Sequence, residues 1–242
     1  MTEIPTCGMV LAAGLGRRMR PLTDTLPKPM VQVAGRALID RVLDHFAAAG
    51  VEQCVVNLHY LAPLLRTHLA GRTRPRLLFS DETEGVLETG GGVAKALPLL
   101  GQAPFFVANA DALWCDGQNR LTLHRLAVAW DEAGMDALLL LVPMAEAHGY
   151  DGRGDFRLGA ASRPERCITG DRSGDGLYVF AGVQILHPRL FVDAPAGALS
   201  LKVLYDRAEK AGRLAALVHD GVWCHVGAMV HVAVAEAQPC VW

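Results

Sequence analysis

Short, continuously apolar runs alternate with segments of helical period through the first half of the chain, and this rhythm restricts the fold most. Residues 7–12, 53–58, 76–80 and 104–108 read as buried strands. Between them, 37–49 reads as an amphipathic helix with Leu38, Ile39, Val42, Leu43 and Phe46 on one stripe and Gly50 as its stop. Further helices are expected at 60–69 and 91–99. Parallel neighbours need such crossovers, and a sheet covered on both faces has strands that are apolar throughout rather than alternating. The pattern predicts a Rossmann-like, three-layer α/β/α fold with a mostly parallel central sheet.

After a helix expected at 119–133 and a very apolar strand at 137–142, the rhythm changes. Residues 148–155 and 162–176 are rich in glycine and charge and read as loops with short edge strands added to the main sheet. Regularity returns with a strand at 177–186, a helix at 199–211, a strand at 213–219 and a closing helix at 229–237. No repeat or linker interrupts the 242 residues, so a single domain over 1–242 is expected.

The net charge of −2 supplies no basic field for a nucleic-acid partner, so an anionic ligand has to be met by a local site. The longest apolar run, 137–145, is nine residues and contains Pro143, against the ~18 of a membrane span. The N-terminus lacks the cationic and apolar regions of a signal peptide. The six cysteines (Cys7, Cys54, Cys115, Cys167, Cys224 and Cys240) form no CxxC pair and no zinc spacing, and read as reduced thiols. Together these features imply a soluble cytoplasmic protein without a membrane partner.

Three segments carry chemistry. Residues 11–22 follow the first strand and hold Ala13, Gly14, Gly16, Arg17, Arg18 and Arg20. Glycines let backbone N–H groups turn inward as an anion nest, and arginines fork onto phosphate oxygens. A Rossmann dinucleotide fingerprint is disfavoured by Pro21, Pro27 and Pro29, and no Gly-Lys-Ser/Thr follows for a P-loop. Lys28 lies between Pro27 and Pro29, which are expected to hold it extended with its ammonium aimable at a phosphate. A lysine in an ordinary surface loop is the alternative. Asp111 follows an apolar strand, at the sheet end where α/β ligands bind, and suits Mg²⁺ held against phosphate; a turn or helix N-cap aspartate is the alternative.

These segments, in this order, resemble the sugar-1-phosphate nucleotidylyltransferases, whose signature is a Gly-rich, Arg-bearing loop followed by Pro-Lys-Pro. Residues 87–92 (Leu-Glu-Thr-Gly-Gly-Gly), Gly154-Asp155-Phe156 and the stretch 221–227 are most similar to the branch that acts on N-acetylmuramate 1-phosphate in cell-wall recycling. The resemblance spans nearly the whole chain. It implies the nucleotidyltransferase version of the α/β fold, and a metal-dependent reaction in which a hexose 1-phosphate oxygen attacks the α-phosphorus of UTP in line and releases pyrophosphate. Matched motif by motif, Arg18 would stabilise the leaving pyrophosphate and Lys28 neutralise the reacting phosphates. Ala13, Gly14 and Gly16 would cradle the nucleotide. Gly90 and Gly91 would let backbone approach the nucleoside, with Glu88 accepting a hydrogen bond; a glycine turn capping the next helix is the alternative. Asp155 and Gly182 would face the sugar, although Asp155 also fits an Asx turn.

One departure stands out. Where the family usually carries a second metal-binding aspartate, this chain has His225, in Trp223-Cys224-His225-Val226-Gly227-Ala228. Imidazole is a poor partner for Mg²⁺, so three readings stand: Asp111 holds Mg²⁺ with phosphates and water, His225 recruits a softer ion such as Mn²⁺ to the metal site, or the site is degraded; a structural His225 is the alternative. The competing readings are a mannose-1-phosphate guanylyltransferase and a non-catalytic sugar-nucleotide sensor. No acyltransferase β-helix is expected after the closing helix.

Overall fold

In the computed structural model of the chain, residues 4–117, 120–159 and 176–240 are described, together with the backbone of 164–166. Strand β1 (Cys7–Leu11) leads through three 3₁₀ turns to the ribbon β2 (Gln32–Val33) and β3 (Arg36–Ala37), then to α1 (Leu38–Ala48). Next come β4 (Gln53–Leu58), α2 (Ala62–Leu69), β5 (Arg76–Asp81), α3 (Glu88–Leu100), β6 (Phe105–Asn109) and β7 (Ala112–Trp114). Then follow α4 (Thr122–Ala129), β8 (Ala137–Pro143), β9 (Ala147–His148), β10 (Phe156–Leu158) and β11 (Pro164–Arg166). The chain continues with β12 (Leu177–Leu186), α5 (Leu201–Lys210), β13 (Leu214–Val218), β14 (Trp223–His225) and α6 (Met229–Glu236).

Among the described residues the central sheet has nine strands, and the order β6-β1-β4-β5 is parallel throughout. β12 joins β6 antiparallel and carries β10 and β8 on its other side, while β13 pairs β8 parallel. The five stripe residues of α1 are all fully buried: Ile39, Val42, Leu43 and Phe46 pack with β1 and β4, as their spacing requires, and Leu38 packs in a second cluster with Met19, Val31 and Leu113. The second face of the sheet buries Met9, Val55, Val107 and Leu139 beneath α3 and α5. This is the expected three-layer α/β/α arrangement. No described helix is long and apolar enough to cross a membrane.

Several expectations need correction. β11, within 162–176, is an edge strand of the main sheet as expected, whereas β9, at the start of the 148–155 segment, joins β14 and β7 in a separate three-stranded sheet. The helix expected at 119–133 is shorter, because Trp130 turns extended and ends it at Ala129. Lys28 is not extended: it opens a 3₁₀ turn, closed by N–H bonds from Met30 to Pro27 O (2.8 Å) and from Val31 to Lys28 O (3.0 Å). Cys115 and Cys240, read as thiols, form a disulfide with Cα atoms 6.4 Å apart, because the segment after α6 returns beside the end of β7. Cys7, Cys54 and Cys224 are free thiols. Cys167 and most of 162–176 lie outside the described residues.

Candidate functional site

A cleft of about 700 Å³ opens at the carboxyl ends of β1, β4, β5 and β6. The strand ends deliver Leu11, Ala12, Asn57, Glu82, Asn109, Ala110 and Asp111 to its floor. One wall is the loop from Ala13 to Arg18, the other the start of α3 with Glu88 and Thr89, and Lys28, Pro29 and Gly227 close the end. A cleft beyond the C-terminal ends of parallel strands is where the topology of an open α/β sheet leaves room for a ligand.

The glycine loop divides its labour. Gly16 has φ +62, and a Cβ there would lie 3.0 Å from both Lys28 Cβ and Thr23 Cγ2, so the fold itself demands glycine. A Cβ on Gly14 would meet nothing within 4 Å, so packing does not demand its small size. Arg17 and Arg18 line the cleft, whereas Arg20 turns away to pair with Asp24 at 3.0 Å.

Lys28 and Asp111 form an ion pair at the cleft's end. Burial pushes the Asp111 carboxyl upward, but the Lys28 ammonium and, more weakly, His225 outweigh it and hold it below the ordinary value. The 3₁₀ turn aims Lys28 inward from one side, and the reversal after β6 presents Asp111 from the other. A carboxylate and an ammonium at this spot form a charge pair able to reorganise around phosphate oxygens.

His225 ends β14, whose antiparallel register sets it opposite Ala112, the residue after Asp111. Its ring stacks near Trp223 (6.2 Å between centroids), meets Tyr150 edge-on (6.0 Å) and lies 5.7 Å from His231. A Cβ on Gly227 would fall 2.3 Å from His225 Nε2 and 3.1 Å from Arg18 Nη2, so these two side chains converge where Gly227 leaves room. Burial lowers the His225 pKa, with Lys28 and Arg18 acting the same way and Asp111 opposing. This direction favours the neutral imidazole, the form that a nitrogen ligand needs. Among the described residues no group of three or more His, Cys, Asp or Glu is placed to hold a metal. Asp111 fits a divalent cation as one hard oxygen donor; any such cation would need its remaining ligands from phosphate and water.

Other expected site residues sit differently. Gly90 and Gly91 lie in the first turn of α3, packed on protein backbone: their N–H groups donate to Leu199 O at 2.7 and 2.9 Å. A Cβ on Gly91 would be 2.2 Å from Gly197 O. The glycines let α3 dovetail with the chain entering α5, where Thr89 Oγ1 accepts from Leu201 N at 3.0 Å. Glu88 does reach the cleft, with a left-handed φ of +57. One Asp155 oxygen accepts the Phe180 N–H at 3.0 Å, which binds its loop to β12, and Asp155 is not among the cleft residues. Gly182 has φ +77 at an irregularity in β12, and a Cβ there would be 2.8 Å from Asn109 Nδ2, so it seats a cleft side chain without lining the cleft itself.

Asn57 and Glu82 were not singled out from the sequence, and Thr89 and Asn109 carried no role of their own within the 87–92 and 109–111 segments. A signal existed for Asn57: it is an amide in the otherwise apolar run 54–58, at the end of β4 that opens on the cleft.

The nucleotidyl transferase family matches residues 7–152, which carry the loop, Lys28, Glu88 and Asp111 but not His225. The chain is similar over almost its full length to the N-acetylmuramate alpha-1-phosphate uridylyltransferase of Caulobacter vibrioides, at 42% identity covering 98% of each protein. The protein of that name from Neisseria meningitidis is 36% identical, covering 97% of this chain and 98% of its own. Among solved structures, the inositol-1-phosphate CTP transferase of T. maritima superposes with a TM-score of 0.77 at 16% identity, over 99% of this chain and 100% of that one; this is a likeness of fold. A cleft lined by Arg17, Arg18 and Lys28 on this fold, the family match and two relatives of matching length lead to one conclusion: the chain belongs to the nucleotidyl transferase family, as a sugar-1-phosphate nucleotidylyltransferase.

Proposed function

We propose that this enzyme joins UTP to N-acetylmuramate 1-phosphate, giving the UDP-sugar and pyrophosphate. The observation that carries the reading is the full-length similarity to the two uridylyltransferases, taken with Arg18, Lys28 and Asp111 meeting in one cleft. In the proposed reaction a phosphate oxygen of the sugar attacks the α-phosphorus of UTP, the bond to the β-phosphate oxygen breaks, and pyrophosphate leaves. Arg18 faces the departing pyrophosphate, and Lys28 releases Asp111 to neutralise the reacting phosphates. The loop from Ala13 to Gly16 holds the triphosphate by backbone N–H groups. Catalysis is positioning and charge neutralisation, with no covalent intermediate. A bound Mg²⁺ or Mn²⁺ at Asp111 would screen phosphate charge. We infer a role in cell-wall recycling from the sequence resemblance, and a cytoplasmic setting from the N-terminal sequence and the shortness of the apolar runs.

The test is pyrophosphate release with four nucleoside triphosphates against a panel of hexose 1-phosphates. UTP with N-acetylmuramate 1-phosphate is expected to give the highest kcat/KM. A GTP and mannose 1-phosphate optimum would move the assignment to guanylyl transfer, and nucleotide binding without turnover would make the protein a sensor. If His225 contributes to the metal site, His225→Asp tightens metal binding in the absence of UTP and lowers the ratio of Mn²⁺ to Mg²⁺ activity. Titrations of both proteins with and without UTP check this; identical affinities and ratios would give His225 a structural role.

A further inference from the structure

Two polar side chains in the cleft floor, Asn57 and Glu82, have no part in the chemistry above, yet each is only 2% exposed. Asn57 Oδ1 accepts the Ala12 N–H at 2.6 Å, and Asn57 Nδ2 donates to Glu82 Oε1 at 2.8 Å. Glu82 is itself fixed by backbone: its N–H donates to Leu58 O at 2.8 Å and its carbonyl accepts from His59 Nδ1 at 2.7 Å. On the third side is Gly92 of α3, where a Cβ would lie 2.8 Å from Glu82 Oε1 and 3.0 Å from Asn57 Nδ2. Space has been cleared for this pair.

The location gives the pair its meaning. The β1–β4 ladder ends at Val10 and Val56, so the Ala12 N–H is met by a side chain where backbone pairing has stopped. Ala12 is the last residue before the phosphate loop, and Gly92 lies one turn into α3, whose start forms the opposite wall. A side chain serving only the core would be aliphatic here, since a buried amide costs about 1–3 kcal/mol if either face lacks a partner. An amide is needed because one face has to accept and the other to donate.

We propose that Asn57 is a positioning residue for nucleotidyl transfer, acting with Glu82 as a polar bridge that sets the phosphate loop in register with the start of α3. Asn57 acts through Ala12 and the loop beyond it, so its effect falls on how well the loop N–H groups meet charge that develops in the transition state. Displacing such donors by about 1 Å costs on the order of 10²-fold in rate.

The bridge has a polarity, and reversing it is the test. Asn57→Asp keeps an acceptor for Ala12 but sets a carboxylate against Glu82; kcat is expected to fall about 10²-fold, more than KM for UTP changes. Glu82→Gln alone keeps an acceptor for Asn57 Nδ2 and is expected to lose a few-fold. The double variant Asn57→Asp/Glu82→Gln restores one donor and one acceptor in the opposite sense, and is expected to recover at least tenfold over Asn57→Asp. Rates are taken well below each variant's Tm, so a pair serving stability alone would shift Tm and leave kcat in place, overturning the proposal. No recovery in the double variant, or a Glu82→Gln loss as deep as that of Asn57→Asp and confined to KM for UTP, would also overturn it, the latter by making Glu82 a nucleotide contact. The inference rests on the transfer reading. Failure of that reading shows separately, as a wild-type protein that releases no pyrophosphate from any substrate pair.

Discussion

At the scale of single residues, the site's charges are arranged around a ligand that is itself highly charged. Arg18 is exposed and lines the cleft, so Arg18→Ala is expected to lower kcat by about 10²–10³, the scale for one preorganised donor, with little change in Tm. Lys28→Ala is expected to do the same to kcat but also to lower Tm, because it strands the partly buried Asp111 carboxylate. Adding Asp111→Asn should then recover Tm and not activity, as pyrophosphate assays and melting curves of the three variants will show. Glu88 is a different case, since its φ of +57 costs an L-residue about 1–2 kcal/mol, part of which glycine recovers. Strain kept at a cleft wall points to a use for the side chain. Glu88→Gly is therefore expected to raise Tm slightly and weaken UTP binding in calorimetry; an unchanged affinity would remove Glu88 from the nucleotide site.

At the scale of elements, what the sequence reveals depends on whether the cause is local. The stripe of α1 and the apolar strands β1, β4, β5 and β6 are legible because burial on one or both faces imposes their periodicity. Asp111 is legible for the same reason, as a carboxylate where an apolar run stops. The small sheet β7-β14-β9 is not, because strands of two or three residues take their identity from a distant partner. Asn57 and Glu82 lie 25 residues apart and meet only because β4 and β5 are neighbours in register. The triple glycine of α3 is visible in sequence, but its partner, the chain at 197–199, is over 100 residues away, so a packing requirement resembled a ligand site. Gly91→Ala places a methyl 2.2 Å from Gly197 O and is expected to cost about 1–3 kcal/mol as overpacking. At about 2–4 °C per kcal/mol for a chain of this size, Tm falls by several degrees. Gly14→Ala meets no protein atom within 4 Å and should leave Tm nearly unchanged. Melting curves of the two variants separate a glycine that the fold needs from one that it does not.

At the scale of the whole molecule, the small sheet that carries His225 is fastened to the α/β body through two histidines, one half-buried and one buried. His45 of α1 stacks on Trp114 of β7 with ring centroids 4.1 Å apart, and its Nε2 donates to the Trp114 carbonyl at 3.1 Å. His219, 2% exposed, donates its backbone N–H to Leu141 O of β8 at 2.8 Å and its Nε2–H to Val222 O at 3.3 Å, just ahead of β14. Burial lowers the pKa of both rings, although Asp116 and a backbone carbonyl oppose it at His45 and Val222 O opposes it at His219. A group whose folded pKa lies below its unfolded value of about 6.5 binds its proton more readily when unfolded. The stability these histidines supply is thus complete above pH ~6.5 and is lost as pH falls toward the depressed folded values. Glu82 has the opposite sign: burial raises its pKa, so acidification through the carboxylate range favours the folded form there. The histidines titrate first on the way down from neutrality, so Tm is expected to drop between pH 7.5 and 5.5. His45→Phe keeps the ring stack on Trp114 and removes one titrating group, so its drop across the same interval should be smaller. Equal drops in the two proteins would place the acid sensitivity elsewhere than in the joint between the small sheet and the body.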